Sequence, residues 1–441
     1  MRLHGRVRAV VTGLGVVTPI GQTVPAFWRN SLAGRSGVRR ISRFLVPPRL
    51  SGIAGVIEDF DPIERFGGAA AQELDRVTQL ALAASDEAVN DAGVAALLRS
   101  DQKRARTGVF LSTAIAQIGG TEIDFSQRTA GGSRPLTPLA RGAAAVDDRF
   151  GAGGLRARLD FNTSAEAVAR RFGCLRGGVT ITTGCTGGLD ALGAAMAALR
   201  RGEVDLALVG AAEAPITPLV VAAFGRIGAT SLRNDDPTRA SRPFDADRDG
   251  FVLGEGAAML VLESLEHAEG RGAHIYGELA GYASVNNCYH MTDIPEDGRA
   301  IARSARLALA DAGIDPGAVD AINAHGSSTP QNDVAEAGAY HSLFGARGRD
   351  IPVTSIKSQT GHPLAASNTI ECVSALLTLG QGLIPPTINL TRKDPRCALD
   401  VVTGEPRYGS FQCVLKTSSG FSGIHSSLIL RRHEGRTDAA A

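Results

Sequence analysis

GVTITTGCTGGLDALGAAMAALRRG, residues 178–202, runs from a short apolar segment through a glycine-rich turn into a long Ala/Leu segment. The β-branched residues of GVTITTG are typical of a strand. From Leu189 to Leu199, apolar residues recur at steps of three and four, which predicts one apolar face of a helix. The stretch therefore predicts a strand, a tight turn and a helix, and it places Cys185 in the turn.

Short Val/Ile-rich runs alternate with Ala/Leu helical patterns along the rest of the chain as well. Such alternation is the signature of strand–helix–strand units around a sheet that is covered on its faces, an α/β fold. Five strand candidates in each part of the chain indicate an internal duplication. The candidates are RAVVTGLG (8–15), TGVFLST (107–113), GVTITTG (178–184), VDLALVG (204–210), AAMLVLE (257–263), IYGELAGY (275–282), VDAINAHG (319–326), IPVTSIK (351–357), KTSSGFSG (416–423) and SSLILRR (426–432).

Length and composition indicate a globular protein of two or three domains, or of two fused halves of one larger fold. The 441 residues are 44% hydrophobic and 21% charged, with 53 glycines, so the chain is turn-rich and can bury a sizeable core. The net charge is +1 at pH 7. This balance creates no global field for nucleic acid or an anionic membrane, and neither partner is predicted.

The cysteines indicate an intracellular protein without a metal site. Their spacing is neither the CxxC of a zinc or redox site nor that of a small, disulfide-dense secreted scaffold. We therefore predict no bound metal and a location in the reducing cytoplasm. The six positions are 174, 185, 288, 372, 397 and 413.

The N-terminal segment MRLHGRVRAVVTGLGVVTPIG imitates a signal peptide, with basic residues before an apolar run. Gly13, Gly15 and Pro19 interrupt that run, and no small-residue cleavage site follows. No stretch of about 18 apolar residues occurs anywhere in the chain. The segment is interpreted as a first buried strand.

The predicted turn places the Cys185 thiol at the start of a helix. There the unpaired amide groups and the positive end of the helix dipole favour a thiolate, and peptide N–H groups can also stabilise an oxyanion. Gly184, Gly187 and Gly188 allow a sharp turn and the close approach of a substrate. The alternative is a buried structural cysteine in a tight turn, and the turn alone does not decide between the two.

Two further strand ends carry reactive side chains. AINAHGSSTPQND places His325 at the exit of an apolar strand, and SIKSQTGHPLAASNTIE carries Lys357, His362 and Glu371 at the next strand-to-helix turn. Each histidine by itself is more often a structural residue than a catalytic one. Because active sites gather where the carboxyl ends of strands meet, three such strand ends favour a catalytic site around Cys185.

TTGCTGGLDALG, INAHGSSTPQND, SIKSQTGH and SSGFSG resemble the motifs of the β-ketoacyl-acyl-carrier-protein synthases, and the resemblance extends from about residue 7 to 432. APITPLVVAAF, RNDDPTRASRPFDADRDGFVLGEGAAMLVLE and NNCYHMT look closest to the catalytic ketosynthase (alpha) subunit of bacterial type II polyketide synthases. The resemblance implies a thiolase-like α/β fold, with two similar halves in a layered αβαβα arrangement. We expect an N-terminal half at 1–266, a C-terminal half at 267–432 and a disordered tail at 433–441.

The resemblance also implies a decarboxylative Claisen condensation in which an acyl chain is held on Cys185 and malonyl-acyl-carrier protein extends it. The backbone N–H groups of Cys185 and Phe421 would form the oxyanion hole, and the Phe421 ring would gate entry. Neutral His325 and His362 would donate hydrogen bonds to the malonyl thioester oxygen as it becomes an enolate. No bound cofactor is implied, because the substrates arrive on the 4′-phosphopantetheine arm of the acyl carrier protein.

Five further residues are implied to support this site. Lys357 and Glu371 would line its back with Asp333, and an ordinary structural ion pair is the alternative. In the supporting role, Lys357 sets protonation states and Glu371 orients water or backbone near the histidines. Ser327 and Thr329 match the hydroxyl positions by which the family holds the pantetheine arm, and with Asp333 they form the expected substrate-binding set.

Three positions depart from the pattern of the family. Ala365 and Asn368 stand where relatives often have glycine, and Ser422 replaces a glycine after the gate. Asn tolerates a left-handed backbone better than Ser or Ala does. The packing around Cys185 and the mobility of the gate therefore depend on these positions.

The partners implied by the resemblance are an acyl carrier protein and a homologous chain-length factor that lacks the cysteine, with a homodimer as the alternative. Residues 112–174 match the subfamily least and contain a Gly/Arg/Pro-rich insertion at 128–160. We expect tunnel and partner contacts there. The acidic carrier protein is expected to dock on arginine-rich surface.

Three other functions remain as alternatives. A chain-length factor has no use for a cysteine together with two histidines. A non-decarboxylating acyltransferase or thiolase would use Cys185, but coenzyme A-dependent relatives usually carry Asn in place of the second histidine. A fatty-acid synthase of the same family, working as a homodimer, differs only in the subfamily motifs.

Three motifs imitate other sites. TGLGVVTP begins like a dinucleotide fingerprint, but Thr18 replaces the third glycine. DADRDGFVLGEG resembles a calcium loop, but its twelfth position is Gly256 rather than glutamate, so a structural turn is predicted. His290 is predicted to be a loop residue near the tunnel, with metal binding as the weaker alternative.

Overall fold

The computed structural model describes residues 2–3, 6–68, 74–122 and 160–434. The predicted insertion at 128–160 and the predicted tail at 433–441 lie outside these ranges, apart from residues 160, 433 and 434. Within the described ranges, no helix combines the length and the apolar character needed to cross a lipid bilayer.

The ten predicted strands are all present, and short additional strands accompany them. The strands are β1 (Arg2–Leu3), β2 (Arg6–Val7), β3 (Ala9–Val17), β4 (Val38–Arg40), β5 (Ile53–Gly55), β6 (Thr107–Ser112), β7 (Gly178–Ile181), β8 (Leu206–Glu213), β9 (Gly256–Ser264), β10 (Gly277–Asn286), β11 (Ala321–Asn323), β12 (Pro352–Thr354), β13 (Leu383–Ile384), β14 (Asp400–Val401), β15 (Arg407–Tyr408), β16 (Cys413–Ser419) and β17 (Ile424–Arg431).

Helices follow most of the strands, as the alternating pattern predicts. They are α1 (Val24–Leu32), α2 (Pro62–Phe66), α3 (Arg76–Asp91), α4 (Asp101–Arg104), α5 (Thr163–Phe172), α6 (Gly187–Arg200), α7 (Pro218–Ile227), α8 (Leu265–Gly270), α9 (Arg299–Ala312), α10 (Pro330–Phe344), α11 (Lys357–Thr360) and α12 (Leu364–Gln381).

The strand order repeats between the two halves of the chain. One sheet has the order β14-β12-β11-β16-β17-β10-β3-β9-β8-β6-β7. In each half, the first strand pairs antiparallel with the fifth, the fifth antiparallel with the fourth, and the fourth, second and third are parallel neighbours. This repeat confirms the predicted two similar halves. Their predicted boundary, between residues 266 and 267, falls within α8, and its position stays a prediction.

The elements form five layers around three apolar clusters. Helices α6 and α12 lie in the middle, where their apolar side chains share one core with β3, β8, β9, β16 and β17. Helices α3 and α5 cover the outer face of the N-terminal strands, and α9 and α10 cover the outer face of the C-terminal strands. This αβαβα arrangement is the one expected from the sequence.

The packing of strand β3 explains why glycines interrupt the apolar run of the N-terminal segment. All nine of its residues are buried, as expected for a strand covered on both faces. Gly13 and Gly15 lie directly against α3, where an added Cβ would be 2.3 Å from the Ala88 carbonyl oxygen and 2.0 Å from that of Ala84. These glycines therefore serve helix–strand packing, and they explain the dinucleotide-like motif.

Glycines also bring the two central helices together. A Cβ at Gly188 would lie 2.6 Å from the carbonyl oxygen of Ala365, and one at Gly187 would lie 2.1 Å from Ser112 Oγ. The first turn of α6 can therefore pack directly against α12. This contact brings the Cys185 turn of the N-terminal half beside residues of the C-terminal half.

Candidate active site

Cys185 lies in a single helical turn, Gly184–Thr186, that leads directly into α6. Gly184 has a φ of +62°, a conformation that favours glycine, and so the strand can turn sharply into the helix. The Cys185 carbonyl oxygen accepts hydrogen bonds from Asn368 Nδ2 and, at 3.2 Å, from Ser418 Oγ. Asn368 and Ser418 belong to the C-terminal half, so this half holds the turn in place.

Opposing effects act on the Cys185 thiol, and burial is the largest. Burial raises its pKa to about 11, although Lys357 and hydrogen bonds from the backbone of Phe421 and of Cys185 itself lower it. The helix start alone predicts a thiolate. The structure instead favours a protonated thiol at neutral pH, because transfer into an apolar site costs the anion more than these groups return. The two backbone groups are those expected in the oxyanion hole.

His325 and His362 lie together in the wall of the same cavity as Cys185. Both residues are 3% exposed, and their ring centroids are 5.2 Å apart with the ring planes at 81°. The Nδ1 atom of each ring is buried without a hydrogen-bond partner in the described residues. Buried polar atoms normally have partners, so an unpaired buried Nδ1 on each of the two rings is unusual.

Both histidines are held in the neutral form. Burial is the main cause that lowers the pKa of each ring well below its ordinary value, and Lys357 and Lys416 lower it further. A neutral imidazole carries one N–H donor and one acceptor nitrogen. The electrostatics therefore agree with the expected role of neutral donors.

Lys357 and Glu371 form a buried ion pair behind the histidines. Each is 1% exposed, and Lys357 Nζ is 2.5 Å from Glu371 Oε1. The same Nζ donates a hydrogen bond of 2.8 Å to the carbonyl oxygen of His325. Burial lowers the pKa of Lys357 although Glu371 raises it. The pair contacts the histidine backbone directly, as the supporting role requires.

Phe421 lines the cavity and lies in a tight turn, Phe421–Gly423. Its ring centroid is 6.3 Å from that of Phe224. Ser422 has a φ of +64° in the left-handed region, which a serine adopts at a cost. The departure noted at Ser422 is thus a strained position, whereas Ala365 and Asn368 lie within α12 and outside the positive-φ region.

The cavity has a volume of about 280 Å³ and opens toward solvent beside Ile227, which is 51% exposed. Ser327 and Thr329 line it, and their hydroxyl oxygens are 2.9 Å apart. Two hydroxyls side by side on the wall suit the recognition of an amide-bearing arm.

Asp333, the third residue expected to bind substrate, is placed differently. It is fully buried in the first turn of α10 and does not line the cavity. Its carboxylate accepts a 2.8 Å hydrogen bond from the Phe244 N–H and lies 3.5 Å from Arg248 Nε. Burial raises its pKa to about 6. Asp333 therefore stabilises the packing behind the cavity wall through its contacts with Phe244 and Arg248.

The motifs that imitate metal sites have structural explanations. Asp245 of the calcium-like loop accepts hydrogen bonds from the backbone of Asp247, Thr391 and Arg392, which ties a turn to a neighbouring loop. His290 lies in an exposed loop whose Thr292 and Asp293 border the cavity. Among the described residues, no group of three or more metal-ligating side chains occurs.

Sequence reasoning missed two buried charged residues of the site. Glu213, at the end of β8, is fully buried, and burial raises its pKa to about 8. Lys416 on β16 is also fully buried, and its Nζ is 2.7 Å from Glu371 Oε2. Lysine is scarce in this chain, and Lys416 lies two residues before the first serine of the SSGFSG motif. That placement was the available signal.

Comparison with known proteins agrees with this geometry. Residues 7–268 match the family model described as "Beta-ketoacyl synthase, N-terminal domain", and residues 276–391 match "Beta-ketoacyl synthase, C-terminal domain". The tetracenomycin polyketide synthase ketoacyl synthase alpha subunit of Streptomyces glaucescens is 41% identical, over 98% of this chain and 99% of that protein. A 3-oxoacyl-(acyl-carrier-protein) synthase 2 of Synechocystis is 38% identical, over 97% of this chain and 98% of that protein.

Two solved structures share the whole fold. One is a type II polyketide synthase acyl-carrier protein in complex with its ketosynthase bound to the hexaketide, with 40% identity and a TM-score of 0.84 over 97% of this chain and 100% of that chain. The other is the ishigamide ketosynthase/chain length factor, with 32% identity and a TM-score of 0.86 over 98% of this chain and 100% of that chain.

Proposed function

The chain belongs to the beta-ketoacyl synthase family, and we propose that it extends a polyketide chain by decarboxylative condensation of a Cys185-bound acyl group with malonyl-acyl-carrier protein. The observation that carries this proposal is the pair of neutral histidines in one cavity with the thiol. Two neutral imidazoles can each donate a hydrogen bond to an enolate oxygen, and two donors suit that charge better than one.

In the first half-reaction, the Cys185 sulfur attacks the carbonyl carbon of the acyl thioester on the carrier protein. The new carbon–sulfur bond forms on Cys185, the bond to the pantetheine sulfur breaks, and the Cys185 proton passes to the leaving thiol. The N–H groups of Cys185 and Phe421 act on the oxygen that becomes negative in between.

In the second half-reaction, the carboxylate of the malonyl group leaves as CO2 and its bonding electrons form an enolate. His325 and His362, both in the neutral form, each donate a ring N–H to the enolate oxygen. The enolate carbon then attacks the Cys185 thioester, and the carbon–sulfur bond breaks. The product is a β-ketoacyl chain on the carrier protein, and the released Cys185 thiolate takes up a proton from water.

Partners follow from the same comparison. The solved relatives contain an acyl-carrier protein in one case and a chain length factor in the other, and we assign both kinds of partner to this chain. Strand β7 ends the sheet, and Val179 on it is 51% exposed, which fits pairing through a sheet edge. The substrates travel on the phosphopantetheine arm, and the cytoplasmic location stays a prediction.

A fatty-acid synthase working as a homodimer is the second candidate, because a 3-oxoacyl-(acyl-carrier-protein) synthase is 38% identical over nearly the whole chain. The chemistry at Cys185 would be the same. The two candidates differ in partner and in the oxidation state of the growing chain.

The deciding experiment is intact mass spectrometry of a carrier protein incubated with malonyl groups, this chain and a candidate chain-length factor. We expect successive unreduced two-carbon extensions that require the partner and disappear with Cys185→Ala. Full activity of a stable homodimer with a fatty-acid carrier protein would overturn the polyketide assignment. Absence of CO2 release under all conditions would overturn condensation itself.

A further inference from the structure

Lys416 is a buried active-site residue to which the two half-reactions give no role. It is fully buried on β16, beside Asn323 of β11 in the parallel pairing. Its Nζ is 2.7 Å from Glu371 Oε2 and donates hydrogen bonds to the carbonyl oxygens of Thr417, at 2.7 Å, and Ala324, at 3.3 Å. A buried lysine with this many partners holds a defined geometry.

Lys357 binds the other oxygen of the same carboxylate. Its Nζ contacts Glu371 Oε1 at 2.5 Å and the His325 carbonyl oxygen at 2.8 Å. Since Ala324 and His325 are consecutive, two ammonium groups bridged by one carboxylate hold both carbonyls at the end of β11. The His325 ring projects from this clamped backbone into the cavity.

The same cluster sets the local charge. The Lys357–Glu371–Lys416 cluster contributes two cations and one anion, and Glu336, which accepts the His325 backbone N–H, adds a second carboxylate. Loss of the Lys416 charge would therefore leave one cation against two anions behind the histidines. In a site from which water is excluded, a nearby positive charge disfavours protonation of an imidazole. Lys416 acts in this direction on His325 and on His362.

We propose that Lys416 is a positioning residue of the condensation site: it fixes the backbone that carries His325, and its charge keeps both histidines in the neutral form that donates to an enolate. The claim that the histidines donate to an enolate rests on the proposed function. The backbone and charge arguments rest on the Lys357–Glu371–Lys416 cluster alone.

Other groups act on the two histidines from several elements, and any pH dependence must be compared against them. The charged and titratable groups that face the histidines are Lys357 on α11, Glu371 on α12, Lys416 on β16, Glu336 on α10 (which accepts the His325 backbone N–H), His425 on β17, Cys185 in the turn before α6, and the two histidines themselves. Lys416 and Lys357 are the two cations of this set.

The test compares Lys416→Met with Lys416→Arg and with Lys393→Met, an exposed lysine that serves as the matched control. In Lys416→Met we expect malonyl decarboxylation at neutral pH to fall about tenfold while acyl loading of Cys185 is unchanged. Removing the positive charge raises the histidine pKa values, so the acidic limb of the decarboxylation profile moves up by about one pH unit. Lys416→Arg should restore the profile, and Lys393→Met should match the unsubstituted protein.

Equal losses in loading and decarboxylation that Lys416→Arg does not restore would overturn the proposal, as would an unchanged pH profile. If Lys416→Met does not fold, Lys416→Gln keeps the hydrogen-bond donors without the charge, and the same shift is expected. NMR titration of isotope-labelled histidine measures the pKa change without turnover. It therefore tests Lys416 even if the unsubstituted protein does not decarboxylate malonyl groups, which would contradict only the proposed function.

Discussion

The ring of His325 meets the ring of His362 edge to face, with centroids 5.2 Å apart. The two rings come from loops that follow different strands of the C-terminal half, β11 and β12, and both face the cavity of Cys185 from the N-terminal half. Under the proposed function, this arrangement would place two neutral donors beside an acyl group carried on the thiol.

Cys185→Ala should abolish covalent acyl loading, because Cys185 alone among the cysteines lines the active-site cavity. Intact mass of the protein after incubation with acyl-carrier protein measures the loading. Cys288→Ala is the matched control, since Cys288 is exposed and outside the cavity, and it should load fully. Stoichiometric loading of the Cys185→Ala variant would contradict the assignment.

His325→Ala and His362→Ala should each lower malonyl decarboxylation by about a hundredfold or more, because one donor to a developing enolate is lost. Acyl loading should change far less, since it uses the backbone donors instead. Measuring CO2 release separately from acyl-enzyme mass distinguishes the two steps. A parallel loss in both would indicate damage to the fold.

Alkylation of Cys185 by iodoacetamide should rise with pH well beyond neutrality. Burial raises the thiol pKa to about 11, so the thiolate fraction increases about tenfold per pH unit below that value. Rates should be measured by mass in a Cys288→Ala background, which removes the exposed cysteine. Replacing Lys357 with Met should slow the reaction, because Lys357 lowers this pKa. A rate that levels off near neutral pH would show that the helix N-terminus stabilises the thiolate by more than burial destabilises it.

Ser422→Gly should stabilise the protein by about 1 kcal/mol, because glycine relieves the left-handed strain at a φ of +64°. The free energy of unfolding in urea measures the effect. Ser100→Gly is the control, since Ser100 has a φ of −86° and no strain to relieve. Equal changes at the two positions would show that Ser422 is not strained.

Local patterns predicted much of the fold. The ten strands follow from short Val/Ile-rich runs, and the helix after Cys185 follows from apolar residues at steps of three and four. The positions of the glycines in the first strand could also be read from the sequence, but the structural reason for them could not. Gly13 and Gly15 look like interruptions until α3 is seen to pack against their Cα atoms.

The protonation state of the thiol differs from the expectation for a physical reason. A helix start stabilises an anion through groups close in sequence, and this effect can be read from a motif. Desolvation depends on every element that packs around the sulfur, and those elements are distant in sequence. For Asp333 likewise, the motif gave its residue type, whereas only packing placed its carboxylate on Phe244 and Arg248.

Local periodicity and motif chemistry were enough to predict the fold class, the duplicated halves and the identity of the residues that gather at the strand ends. Tertiary structure alone decided which groups share Glu371. Lys357 and Lys416 lie 59 residues apart in the chain, yet each contacts one oxygen of that carboxylate because α11 and β16 bring their side chains to the same residue of α12. An ion pair between residues so far apart in sequence produces no repeating sequence pattern, because its formation depends on the distance between the side chains in the folded protein.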